Sequence, residues 1–163
     1  MMTKKERINH VYRLDGYLDA LSLVNGNFRK SRYGAYLADI GNTGIEEQLK
    51  SIYLPYEATV TFGELETIPN WLRRLESELN NSLLGNLLGK SFDSERHLEK
   101  NRIHQAGWYV MEMIRVLTDD FQSSPIIYKC NITVSDTDTK PTSSGSLYII
   151  PIRSEYLVLS LEW

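Results

Sequence analysis

The sequence predicts an α+β chain: an antiparallel sheet ending in a three-stranded meander, packed against two main helices at about 67–84 and 93–122. Strict alternation carries the sheet. Tyr128, Cys130, Ile132 and Val134 alternate with Lys129, Asn131, Thr133 and Ser135, and Leu157, Leu159, Leu161 and Trp163 alternate with Val158, Ser160 and Glu162. A period of two sends successive side chains to opposite faces, one buried and one towards water. Apolar residues at spacings of three and four carry the helices. The length of 163 residues fits a single domain spanning 1–163 with a sizeable core.

Taken in order, Ile8, Val11, Leu14, Leu18 and Leu21 predict an amphipathic helix over residues 4–24, ended by Asn25-Gly26. Asp15-Gly16 inside it is also a hairpin dipeptide, so a hairpin is the competing reading. From there to Gly44 the glycines at 26, 34, 41 and 44 suggest loop. Thr43 and Glu46 form a capping-box pattern before Ile45, Leu49 and Ile52, a short helix stopped by Pro55. Tyr56, Ala58, Val60 and Phe62 then alternate with Glu57, Thr59 and Thr61 as a strand closed by Gly63.

Pro69 suits the first turn of the helix at 67–84, whose stripe is Ile68, Leu72, Leu75, Leu79 and Leu83. Asp93 is placed to cap the longest helix, with Ile103, Ala106, Val110, Ile114, Leu117 and Phe121 as its stripe. The final strands follow Pro125, with a polar hairpin loop from Asp136 to Gly145. Pro151 lacks a ladder donor, which predicts an edge or bent strand. The apolar face of the meander is expected to meet the helices, and the other face to be open for a partner.

Composition bounds the chemistry. The net charge is −3, with 8 basic and 7 acidic residues before Glu64, 7 and 10 over 64–122, and 3 and 4 beyond. That balance argues against nucleic acid, whose phosphates demand a basic surface. The aromatic-basic run Phe28, Arg29, Lys30, Arg32, Tyr33 and Tyr36 is the one feature that would suit a single-stranded nucleic-acid module. A lone Cys130 rules out an internal disulfide and suggests a reducing, cytoplasmic setting. No apolar run is long enough to span a bilayer, and no signal-peptide core follows the charged first residues.

Catalytic and metal patterns fall short. Gly85 to Ser91 resembles a phosphate-binding loop but has one residue too few and follows a helix. His97 and His104 lie about 10 Å apart along one helix, too far to share a metal. Asp136 to Lys140 starts like a calcium loop, yet Pro141 stands where its glycine belongs. Cys130 on an alternating strand is better read as a small core residue than a nucleophile. No cofactor or metal is therefore expected. The expectation is a binding protein and not an enzyme, with a small cytosolic enzyme of scattered site residues as the alternative.

A compact, acidic α+β chain of this length, with a helix-to-strand passage from Gly107-Trp108-Tyr109 through the meander to Trp163, resembles the immunity proteins of bacterial contact-dependent growth inhibition and related polymorphic toxin systems. The resemblance rests on overall make-up and not on a motif. It implies tight binding to a cognate toxin domain, often a nuclease, blocking its active site or substrate groove. Some members of such families receive a toxin β-hairpin by strand addition, which an exposed edge would accept. On that resemblance, Glu64, Glu66, Asp136 and Asp138 would pair with a basic toxin surface, with Tyr148 or Tyr156 as anchors.

Overall fold

The computed structural model describes residues 2–26, 32–39, 44, 47, 59–69, 71, 75, 97–118, 126–135 and 141–162. Two helices and five strands follow in the order α1 (Lys4–Gly26), β1 (Arg32–Asp39), β2 (Thr59–Pro69), α2 (His97–Leu117), β3 (Ile126–Ser135), β4 (Pro141–Ile152) and β5 (Glu155–Glu162). The strands form one antiparallel sheet in the order β1-β5-β4-β3-β2. The α+β class and the C-terminal meander are as the alternation predicts.

Helix α1 is a single helix through Asp15-Gly16. A capping box starts it: Thr3 Oγ1 accepts the Glu6 amide at 3.3 Å, and Glu6 Oε2 accepts the Thr3 amide at 2.7 Å. The bonds from the Thr3 amide and then its hydroxyl hold the Glu6 carboxyl below its ordinary value. Val11, Leu14 and Leu18 are buried on the sheet side, as are Val110, Ile114 and Leu117 of α2. They meet Tyr33, Ile68, Ile127, Tyr148, Ile150, Leu157, Leu159 and Leu161 on the face of the sheet turned to the helices, the helix face.

Several expectations need correction. The stretch read as loop before Gly44 contains β1, whose alternation is masked because, between the charged ends Arg32 and Asp39, both side-chain sets mix tyrosine with small or apolar residues. Gly63 does not close a strand: β2 runs on to Pro69, with a register shift between Phe62 and Leu65. Residues 67–69 are therefore strand and not helix, and Pro69 ends an edge strand, where a missing N–H is tolerated. Trp71 and Leu75 are helical and buried in the main core. The rest of the helix predicted to 84 lies outside the described residues. So do the Thr43 capping box, the Gly85 to Ser91 loop, Asp93, Phe121, and Asp136 to Lys140.

Pro141 to Gly145, read as hairpin loop, belongs to β4 and pairs with Ile132 to Ser135. Gly145 is required there because a Cβ would overlap the Leu161 carbonyl oxygen and come within 2.8 Å of Glu162 Cα. Pro151 lies on β4, an interior strand and not an edge. Pairing with β3 stops at Tyr128–Ile149, so Pro151 sits beyond that ladder, next to the Arg153–Ser154 turn. The face away from the helices is not open either. Ile132, Leu147, Ile149 and Val158 are buried on it, with Tyr36, Ala38, Phe62, Tyr128, Val134 and Tyr156 packed around them. The runs Leu147 to Ile150 and Leu157 to Leu159 are apolar at every position because the middle of the sheet is covered on both faces.

Candidate functional site

The surface best placed to meet a partner is the outer edge of β2. Among the described residues it is the last strand of the sheet on its side, and Thr61, Gly63, Glu64, Leu65, Glu66 and Thr67 are all exposed. Exposure of the consecutive residues from Gly63 to Thr67 means that neither face of that part of the strand is packed, whereas Phe62 beside it is half-buried on the far-face cluster. β2 carries Glu64 and Glu66 and no basic residue. Its nearest cross-strand cation is Lys129, which pairs with Glu66 in the ladder to β3.

The bulge sorts the side chains. Phe62 pairs with Ile132 on the far face, and beyond the shift Leu65 pairs with Cys130 on that same face. Alternation around Leu65 then places Glu64 and Glu66 together on the helix face. Without the extra residue the two carboxylates would share the face of Phe62, and Ile68 would leave the main core. Gly63 permits the close approach, because a Cβ there would lie 3.2 Å from the Asn131 carbonyl oxygen. The Cys130 thiol donates to the Gly63 carbonyl oxygen at 3.3 Å and is buried. An incoming strand would thus meet carboxylates on one side of its plane and Phe62 with Leu65, 39% exposed, on the other.

The opposite edge differs. Helix α1 lies along β1, and the Ala35 amide donates to Asp15 Oδ1 at 2.8 Å. A groove of about 280 Å³ remains there, lined by Ile8, Val11 and Tyr12 of α1, Ala35 and Leu37 of β1, and Lys4, Asp39 and Glu155 at its charged end. Arg7 Nε and Nη2 both contact Glu155 Oε2 at 2.9 Å, and Arg7 Nη1 donates to the Met2 carbonyl oxygen at 3.1 Å.

The residues singled out in the sequence scatter. Glu64 and Glu66 share the β2 edge. Tyr148 is 2% exposed in the main core, with Lys129 Nζ 5.4 Å from its ring centroid, so it has no surface to anchor a partner. Tyr156 is half-buried against the far-face cluster. Asp136 and Asp138 lie outside the described residues; Ser135, just before them, pairs with Thr59, seven residues along β2 from Glu66 and roughly 20 Å away. Leu65, Phe62 and the bulge were missed, although a glycine inside a strand pattern signals one.

No family profile, curated protein or solved structure matches the chain. Among the described residues no group of three or more histidine, cysteine or acidic side chains could hold a metal, and no helix is long and apolar enough to cross a membrane.

Proposed function

We propose that this protein binds and neutralises a basic protein domain, in the manner of an immunity protein acting on its cognate toxin. The observation that carries the reading is the β2 edge, exposed on both faces and bearing Glu64 and Glu66 with no cation on the strand. An open edge offers backbone hydrogen bonds to an added strand, and the carboxylates favour a partner rich in lysine and arginine. Strand addition would also carry partner side chains over Phe62 and Leu65, extending the far-face cluster outward.

Co-expression with a toxic domain, sought first in the genes neighbouring this one, tests the reading. The wild-type chain should rescue growth and bind that domain, and Glu64→Lys should weaken binding about tenfold while leaving the fold intact. Lack of rescue and of binding by the wild-type chain, together with turnover of a small substrate, would sink it.

A further inference from the structure

The two carboxylate oxygens of Glu155 have different duties. Oε2 is clamped by Arg7 at 2.9 Å, inside a side chain that is only 3% exposed. Oε1 faces Lys4 Nζ at 3.5 Å, and the same ammonium lies 3.5 Å from Asp39 Oδ1. Charge-assisted N–H···O contacts close to about 2.7–2.9 Å when they are firm, so Lys4 is held loosely. Its side chain is 63% exposed and that of Asp39 is 77% exposed, the setting in which an ion pair contributes least. The Lys4 ammonium therefore marks a cation position that another ammonium can take at little cost.

That position is one end of the groove between α1 and β1. Beyond it the lining turns mostly apolar: Ile8, Val11 and the exposed Tyr12 come from α1, and Ala35, Tyr36 and Leu37 from β1. The volume of about 280 Å³ suits one ring or a short branched chain. We propose that this groove is a binding site for a primary amine with a compact aromatic or branched apolar body. The ligand's ammonium replaces that of Lys4 between Asp39 Oδ1 and Glu155 Oε1, and Lys4 swings into solvent. The apolar body lies against Ile8, Val11 and Leu37, where removal of its surface from water supplies the gain that Lys4, with its exposed stem, does not. A carboxylate on the same body would be repelled by two fixed carboxylates.

Titration of the full chain with 2-phenylethylamine, followed by methyl NMR, tests this. The shifts should fall on Ile8, Val11 and Leu37. The carboxylate 3-phenylpropionate, with the same phenylethyl body, should produce none at the same concentration. Lys4→Met removes the internal competitor and should tighten amine binding about threefold, whereas Asp39→Asn should weaken it about tenfold. Both positions are exposed, so the variants are expected to fold, and unchanged thermal unfolding confirms it. Equal binding of amine and carboxylate, loss of amine binding in Lys4→Met, or shifts confined to other parts of the molecule would overturn the assignment. So would concentration-dependent shifts of the same methyls without ligand, which would make the occupant a second copy of the chain.

Discussion

Along β1, helix α1 closes the edge of the sheet; along β2, no described residue does. On the β1 side the Asp15 carboxylate takes the Ala35 amide, and Arg7 reaches past the strand to Glu155 at the start of β5. On the β2 side six residues between Thr61 and Thr67 are exposed, and among the described residues a bulge and two carboxylates are what interrupts the edge. Unpaired strand edges are templates for association, which folds blunt by covering, charging or kinking them. Covering shuts an edge to every strand. Charge shuts it only to strands of like or no charge, so the β2 edge remains selective where the β1 edge is closed. β2 pairing with a second β2 would set Glu64 and Glu66 against their own copies, which cross-strand repulsion disfavours.

The largest expected difference between the two edges is in stability. Removing the Arg7 guanidinium in Arg7→Met leaves a buried carboxylate with the loose contact to Lys4 as its remaining ion pair on this side. Breaking one side of a buried pair costs about 3–5 kcal/mol. Denaturant unfolding should show that loss, and Arg7→Met combined with Glu155→Leu should recover most of it because no charge is then stranded. At the other edge Glu64→Lys, on an exposed strand, should stay within about 0.5 kcal/mol of wild type. Equal effects at the two positions would mean that α1 does not secure its edge through this clamp.

A smaller effect tests the cover itself. Asp15→Ala frees the Ala35 amide on the outer side of β1 and should cost about 1.5–3 kcal/mol, the range for losing a charged acceptor. More telling is association: the uncovered edge is neutral there, so sedimentation should show concentration-dependent self-association in Asp15→Ala and none in wild type. Gly34 belongs to the same device, since a Cβ on it would lie 3.2 Å from Asp15 Oδ1 and press the carboxylate off the strand. If Asp15→Ala stays monomeric, the body of α1 and not its carboxylate closes the edge.

What could be read in the sequence follows from the range of the interactions involved. The stripes Val11, Leu14, Leu18 and Val110, Ile114, Leu117 are local periodicities, and each lies buried as spaced. The alternation of Leu157, Leu159 and Leu161 is local too, and it correctly gives the helix face. Pairing partners are not local. Pro151 lies on an interior strand only because β3 and β5 flank β4, and Gly34 sits in a strand only because Asp15 reaches it from 19 residues away in sequence. The acidic pair was visible as exposed charge, but its common face depends on a bulge that one glycine only hints at. Tyr148 failed as an anchor for a related reason: Leu147-Tyr148-Ile149-Ile150 is an unbroken apolar run, the mark of a strand covered on both faces, and parity there points Tyr148 into the core.

The smallest effect concerns the flank of α1 turned away from β1, towards α2. Tyr17 packs tilted against Tyr109 there, ring centroids 4.6 Å apart at 55°, and burial, then the neighbouring Tyr109, raises the Tyr17 hydroxyl above its ordinary value. His10 lies one helical stretch earlier on the same flank. Burial first and the Arg13 cation second lower its pKa below 6.5, against a weaker opposing hydrogen bond to the Met113 backbone. A folded value below the unfolded one means that the unfolded chain takes up the proton first as the pH falls. Stability from this site is therefore full above pH 6.5 and declines as the pH drops through the depressed folded value. Glu6, held below 4.5, adds its loss only in more acid solution, so the two windows separate. Thermal unfolding between pH 6.5 and 4.5 should fall with acidification in wild type and flatten in His10→Gln. Glu64→Lys, on the uncovered edge, should keep the wild-type slope, and a flattened slope there would show that the two edges are coupled through the sheet.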